Sequence, residues 1–223
     1  AKRPRNADDR LLIPPCTIPS DLAPVATFVD KAIEAPSLTP YRSIVDCVKR
    51  RNDANLLHRL LIVFRVNGST LHQLMTFPKQ HAQLLHSIFR LDPFFVPPKM
   101  ADDEDFNQLV KSFELAYAHL HLCVAMVSAN STFLQPALNC LWKLLTSTKN
   151  ADEELSEGRV KCVHAALSTL LRLVPKGATD LFPIMSSGFP FRIRPNLKEY
   201  SEHCLSVLEY APTLESQVLE LLI

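Results

Sequence analysis

Few side chains in this sequence carry obvious chemistry, and most of them are histidines and cysteines. His119, His121 and Cys123 stand closest together. On a helix, residues two apart point to different sides, so only His119 and Cys123 share a face. A zinc site needs three or four converging ligands. None is visible nearby in the sequence, so these side chains read as packed or half-exposed, and no metal site is expected. His81 and His86, five residues apart, share a face poorly and read the same way. The six cysteines are Cys16, Cys47, Cys123, Cys140, Cys162 and Cys204. None forms a CxxC, and four lie within helical apolar patterns, which predicts reduced, buried thiols.

Nucleophilic catalysis needs a serine or cysteine with a base and an orienting partner. The chain has no GxSxG elbow and no signature cysteine. Only four glycines occur in 223 residues, against a usual ~7%, and neither GxGxxG nor GxxxxGK[ST] is present. Phosphate-cradling loops have little material here, no cofactor is expected, and the sequence points away from an enzyme. Asp102, Asp103, Glu104 and Asp105 read as helix-start acids that answer the macrodipole. Lys49, Arg50 and Arg51 end another helix, where cations do the same. Arg192, Arg194 and Lys198 fall in a predicted loop beside Phe189 and Phe191, a combination suited to an acidic partner surface or a nucleic-acid backbone. Asn67-Gly68-Ser69 and Asn130-Ser131-Thr132 match the glycosylation sequon, but a chain without secretory signs gives them no use.

The elements that must carry these residues are helical throughout. Phe106, Leu109, Val110, Phe113, Ala116, Tyr117, Leu120, Val124 and Val127 recur at three- and four-residue steps. Leu115, Leu122, Ala125 and Met126 fall on other faces of the same segment, so that helix is predicted to lie between layers. A turn at Ser128–Ser131 precedes a helix with Phe133, Leu134, Ala137, Leu138, Leu141, Trp142 and Leu145. A loop from Thr146 to Glu157 leads to a helix carrying Val160, Val163, Leu167, Leu170, Leu171 and Val174. A shorter helix is predicted at about Thr179–Met185. Asn196 caps the next, which runs to Tyr210, and Thr213 starts the last.

Earlier in the chain, Ser20 is predicted to cap a helix to about Glu34, and Thr39 one that ends near Arg51, with Pro40 in its first turn. Asp53 caps the following helix, which Asn67-Gly68 breaks. Ser69 to Phe77 provides a helical turn or two, Pro78 opens a helix to about Leu91, and Asp92–Lys99 is a loop. Residues 1–19 are polar and proline-broken, and they read as a disordered or extended tail; Lys2, Arg3 and Arg5 are a weak nuclear-localisation match on it. No apolar run is long enough for a transmembrane span, and the net charge of +1 gives no general pull toward nucleic acid or membrane. Similar turns at Ser128, Val174-Pro175 and Ala211-Pro212, 47 and 37 residues apart, bracket the length of HEAT and armadillo units. The predicted fold is therefore all-α, a HEAT-repeat-like α-solenoid over residues 20–223, and the stop in mid-helix at Ile223 suggests a fragment of a longer solenoid.

An ordered series of short motifs supports a resemblance. It runs through Met126-Val127-Ser128-Ala129-Asn130-Ser131-Thr132-Phe133-Leu134-Gln135-Pro136, Leu173-Val174-Pro175, Phe182-Pro183-Ile184 and Phe189-Pro190-Phe191. It continues at Tyr210-Ala211-Pro212-Thr213-Leu214 and Glu220-Leu221-Leu222-Ile223. Over about Phe106 to Ile223 the chain resembles the RNA polymerase I-specific transcription initiation factor family, transcription initiation factor IA. The resemblance implies a HEAT-repeat solenoid without enzymatic activity. It implies a factor that binds RNA polymerase I near its stalk and bridges it to the promoter-bound core factor at ribosomal RNA genes. It further implies a nuclear and nucleolar location, control by phosphorylation, and no direct sequence-specific DNA binding. The family's polymerase-facing surface includes serines at inter-helix turns. Ser128 stands at one such position, and Ser69 and Thr70 are candidates for others. The turn after Val174-Pro175 carries Lys176 and Gly177 in place of serine. The alternative is a generic HEAT-type scaffold or transport adaptor, which selective binding to RNA polymerase I would distinguish.

Overall fold

The computed structural model describes residues 18–51, 53–94, 105–146, 153–190 and 194–223, with side chains described outside 105–112, 153–156 and 194–196. The predicted tail to residue 17, Cys16, the acids Asp102 to Glu104, and Arg192 lie outside the described residues. Among those described there are eleven α-helices and no strand. They form two compact units that part between Asn130 and Ser131.

The first unit holds α1 (Ala23–Glu34), α2 (Thr39–Arg50), α3 (Ala54–Val66), α4 (Gly68–Thr76), α5 (Ala82–Phe89) and α6 (Asp105–Ala129). In α2, Tyr41, Ile44, Val45 and Val48 are buried while Arg42, Asp46, Lys49 and Arg50 are exposed, the 3.6-residue alternation of a one-sided helix. α6 differs. From Leu115 to Val127 only Tyr117 is exposed, as its apolar residues on several faces require. α3 packs along α6, α1 packs on α3 and α4, and α2 packs on α5.

Several helix starts depart from the sequence reading. Ser20 does not cap α1; it opens a short 3₁₀ turn, Ser20–Leu22, and Pro24 occupies the first turn of α1. Thr39 is itself helical, because extended Leu38 holds the capping position (φ −86°, ψ 161°) and its carbonyl accepts from Arg42 N–H. Pro78 does not open α5. The Gln80 N–H donates to the Phe77 carbonyl at 3.0 Å, and that tight turn delays the helix to Ala82. Asp53 does cap α3, accepting from Leu56 N–H at 2.9 Å.

The second unit holds α7 (Leu134–Thr146), α8 (Glu153–Leu173), α9 (Gly177–Gly188), α10 (Arg194–Leu208) and α11 (Glu215–Leu222). The loop expected from Thr146 to Glu157 is overturned at its end, because Glu153 to Glu157 already belong to α8; residues 147–152 lie outside those described. α9 is longer than expected at both ends, and Pro183 lies inside it. α10 begins at Arg194, ahead of Asn196, with Pro195 in its first turn where a missing N–H costs nothing. A 3₁₀ turn at Pro212–Leu214 takes the place of the start expected at Thr213.

Trp142 and Tyr200 hold the second unit together. The Trp142 indole Nε1–H donates to the Tyr200 hydroxyl at 2.8 Å, and that hydroxyl donates to the Met185 carbonyl. The two rings meet edge to face at 5.4 Å, and Phe189 packs on Tyr200 in the same way at 5.5 Å. One aromatic thus ties α7, α9 and α10 with both polar tips satisfied.

Candidate functional site

The α3–α4 junction starts from one asparagine. Asn67 leaves α3 in extended backbone (φ −83°, ψ 102°), and its Oδ1 accepts from Ser69 N–H at 3.1 Å, capping α4. Its Nδ2 donates to both carboxylate oxygens of Asp30 on α1, at 3.0 and 2.9 Å. The Thr70 hydroxyl donates to Asp30 Oδ1 at 2.7 Å. Asn67 is 6% exposed and Thr70 0%. Three charge-assisted bonds in a low-dielectric setting fix the first turn of α4 against α1. Thr70 is therefore an internal anchor and presents no surface to a partner. The same burial leaves the Asn67 amide no room for a glycan.

Ser69 is exposed on that anchored turn, and Ser128 is exposed in the last turn of α6. The expected inter-helix turn at Ser128 is thus corrected: the helix carries on through Ala129, with Asn130 N–H bonded to the Met126 carbonyl at 2.9 Å. Ser128 caps nothing. α4 and the end of α6 border a cleft of about 360 Å³ lined by Gly68, Leu71, His72, Met75, Ala129 and Asn130. Each serine is the chain neighbour of a lining residue, Ser69 of Gly68 and Ser128 of Ala129. A Cβ added at Gly68 would meet nothing within 4 Å, so the cleft is open at that point.

Their positions set what a phosphate would do. Ser69 lies in the first turn of α4, where the helix dipole favours negative charge; Ser128 lies in the last turn of α6, where it opposes it. Of the predicted basic contacts, Lys176 is exposed just before α9. Arg194 and Lys198 lie on α10 and not in a loop, since Pro195 starts that helix early. Lys198 is exposed and lies 3.8 Å from Glu202 Oε1.

His81, His119 and His203 are buried. His119 is fully buried, and its Nε2–H donates to the Ile88 carbonyl at 2.8 Å. Cys123 Sγ lies 3.8 Å from that same nitrogen, and Cys140 joins them, so three buried ligand-type atoms of His119, Cys123 and Cys140 lie within 4.8 Å of one another, a grouping the sequence spacing did not show. Burial drives the His119 pKa down to about 4. His164 is pushed to about 4 by burial and by neighbouring His203, and its Nδ1 lies 2.8 Å from the Tyr210 hydroxyl. His81 pairs through Nδ1 with the Tyr41 hydroxyl at 3.2 Å. Cys47, Cys123, Cys140 and Cys204 are buried thiols, and burial raises the Cys204 pKa to about 12.

The family model for the RNA polymerase I specific transcription initiation factor RRN3 matches residues 21–223. The chain belongs to that family. The match takes in residues 21–100 as well as the second half, where the short motifs cluster, so α1 to α5 are part of the RRN3 match. Initiation by RNA polymerase I is thereby the process in which this RRN3-family chain acts. No helix among the described residues is long and apolar enough to cross a membrane. Sequence reasoning missed Asp30 and the cleft-lining Leu71, His72 and Met75. The available signal was Asn67, a strong capping residue ahead of a helical stretch, which was read as a helix breaker and a sequon match and not as a cap.

Proposed function

We propose that the chain attaches RNA polymerase I through the surface around the α4–α6 cleft, near the polymerase stalk, and bridges it to the promoter-bound core factor at ribosomal RNA genes. The observation that carries this reading is that Ser69 and Ser128, 59 residues apart in sequence, adjoin one cleft whose lining mixes apolar Leu71, Met75 and Ala129 with polar His72, Thr76 and Asn130. A mixed apolar and polar cleft with neutral hydroxyls at its edge suits a protein partner. A phosphate at the edge brings charge and a desolvation cost, which gives phosphorylation a route to control. Lys176, Arg192, Arg194 and Lys198 are proposed as further partner contacts. Residues 20–223 are read as a HEAT-like array that works in the nucleus and nucleolus. In support, Glu114 bears on His58 and Arg65 on His121 electrostatically, the same order along both helices, as parallel stacked repeats require.

The test is capture of purified RNA polymerases I and II on the immobilised chain. Capture of polymerase I alone, weakened by Ser128→Asp and by a bulky side chain at Gly68, is the expected result. Equal capture of both polymerases would remove the specificity. Capture of neither by a folded chain would favour a HEAT-type scaffold with another partner.

A further inference from the structure

A second cleft, of about 460 Å³, opens between α2 and α5 and shares no residue with the α4–α6 cleft. Its volume lies in the range of ordinary ligand and side-chain pockets. Val45, Val48 and Leu91 give it an apolar floor, each at most 8% exposed. Above the floor stand three cations, Lys49, Arg51 and Arg90, against a single carboxylate, Asp46.

The cations are held differently. Arg51 closes α2 in the left-handed region (φ 54°, ψ 31°), the only non-glycine positive φ among the described residues. That conformation costs an L-residue about 1 kcal/mol. Its N–H donates to the Cys47 carbonyl at 3.0 Å, and its guanidinium Nη1–H donates to the Asp92 carbonyl at 3.3 Å. The side chain is thereby fixed at the cleft. The side chains of Lys49 and Arg90 are exposed and engage no hydrogen bond or ion pair among the described residues. A cleft with an apolar floor, one fixed guanidinium and two uncommitted cations is complementary to an anion that also brings an apolar group.

We propose that the α2–α5 cleft docks an acidic polypeptide segment that inserts an apolar side chain over Val45, Val48 and Leu91 while its carboxylates meet Lys49, Arg51 and Arg90. Nucleic acid fits less well, because single strands are held largely by stacking on successive aromatic side chains, whereas no Phe, Tyr or Trp lines this cleft and His86 is its one ring. The proposal does not rest on the reading of the α4–α6 cleft, and either stands if the other fails.

Fluorescence anisotropy on the whole chain tests it. The probe is a labelled glutamate-rich peptide with two central leucines, run beside an all-glutamate peptide and single-stranded DNA of matched length. The leucine peptide should bind best, weaken as salt rises, and lose at least about tenfold in affinity with Lys49→Glu/Arg90→Glu. Both side chains are exposed, so circular dichroism should stay that of the parent. Asp46→Asn removes the one opposing charge and should tighten binding several-fold, a gain that misfolding does not mimic. An unchanged Kd in the charge-reversal variant, no gain with Asp46→Asn, or equal binding of the all-glutamate peptide would overturn the proposal. So would tighter binding of the DNA through these same residues.

Discussion

The Asn67 amide nitrogen donates to the two oxygens of one carboxylate, that of Asp30, from a position 6% exposed. The same side chain caps α4 through its oxygen, so a single residue links α1 to the end of α3 and the start of α4. Ser69 is the second residue of that helix. The surface proposed to meet the polymerase is therefore positioned by an asparagine that does not itself reach solvent.

Replacing Asn67 with alanine removes the cap and two charge-assisted bonds, and it leaves Asp30 with Thr70 alone among these partners. A loss of about 2–4 kcal/mol is expected by urea denaturation at neutral pH. Asn67→Asp keeps a capping oxygen but sets a carboxylate against Asp30. That variant should be destabilised at neutral pH and should recover relative to wild type once the medium is acid enough to protonate one of the pair.

Gly188→Ala tests the second unit. A Cβ there would lie 2.8 Å from the Tyr200 hydroxyl and 3.5 Å from Trp142 Nε1. The hydroxyl cannot withdraw without giving up its bonds to Trp142 and Met185. We expect a loss of about 1–3 kcal/mol and altered tryptophan fluorescence, since Trp142 is the only tryptophan in the chain. Gly177→Ala crowds the tip of Leu171, at 2.8 Å, and meets Leu134 only at ordinary contact, so it should cost less because the Leu171 side chain can shift.

Buried histidines make stability depend on pH. His119 has a folded-state pKa of about 4, held down by burial. The unfolded chain takes up that proton near pH 6.5, so between these values it binds more protons than the folded one, and stability falls as pH falls. His119 alone should remove about 2 kcal/mol between pH 7 and pH 5. His121 and His164, also near 4, add to the same loss. Urea midpoints across this window should decline with acidification. In His119→Gln, which keeps an N–H for the Ile88 carbonyl, the pH-dependent part of the decline should shrink.

The helical class was legible because spacing alone reports burial, as Tyr41, Ile44 and Val48 on α2 illustrate. Boundaries were less legible where two local signals competed. Pro78 offers a helix start, but the Phe77–Gln80 turn takes precedence. Ser128 offers a turn, but hydrogen bonding continues to Asn130. The site was legible only in part. Ser69 and Ser128 were identified by resemblance, yet their common cleft arises from α4 meeting α6, a long-range contact that no local pattern encodes. Thr70 was misjudged for a related reason: its partner, Asp30, lies 40 residues earlier.

The two exposed serines should respond oppositely to negative charge. Ser69 lies in the first turn of α4, so Ser69→Asp places a carboxylate where backbone N–H groups converge and should add about 0.3–1 kcal/mol. Ser128 lies in the last turn of α6, so Ser128→Asp should lose a similar amount. Polymerase capture is expected to fall with either variant, because both adjoin the α4–α6 cleft and a charge at its edge must be desolvated on docking. Stability and binding thus move together at Ser128 and apart at Ser69. If Ser69→Asp stabilises the fold and still weakens capture, the loss comes from the surface itself. If capture tracks stability at both positions, the serines act through the fold, and the partner surface lies elsewhere.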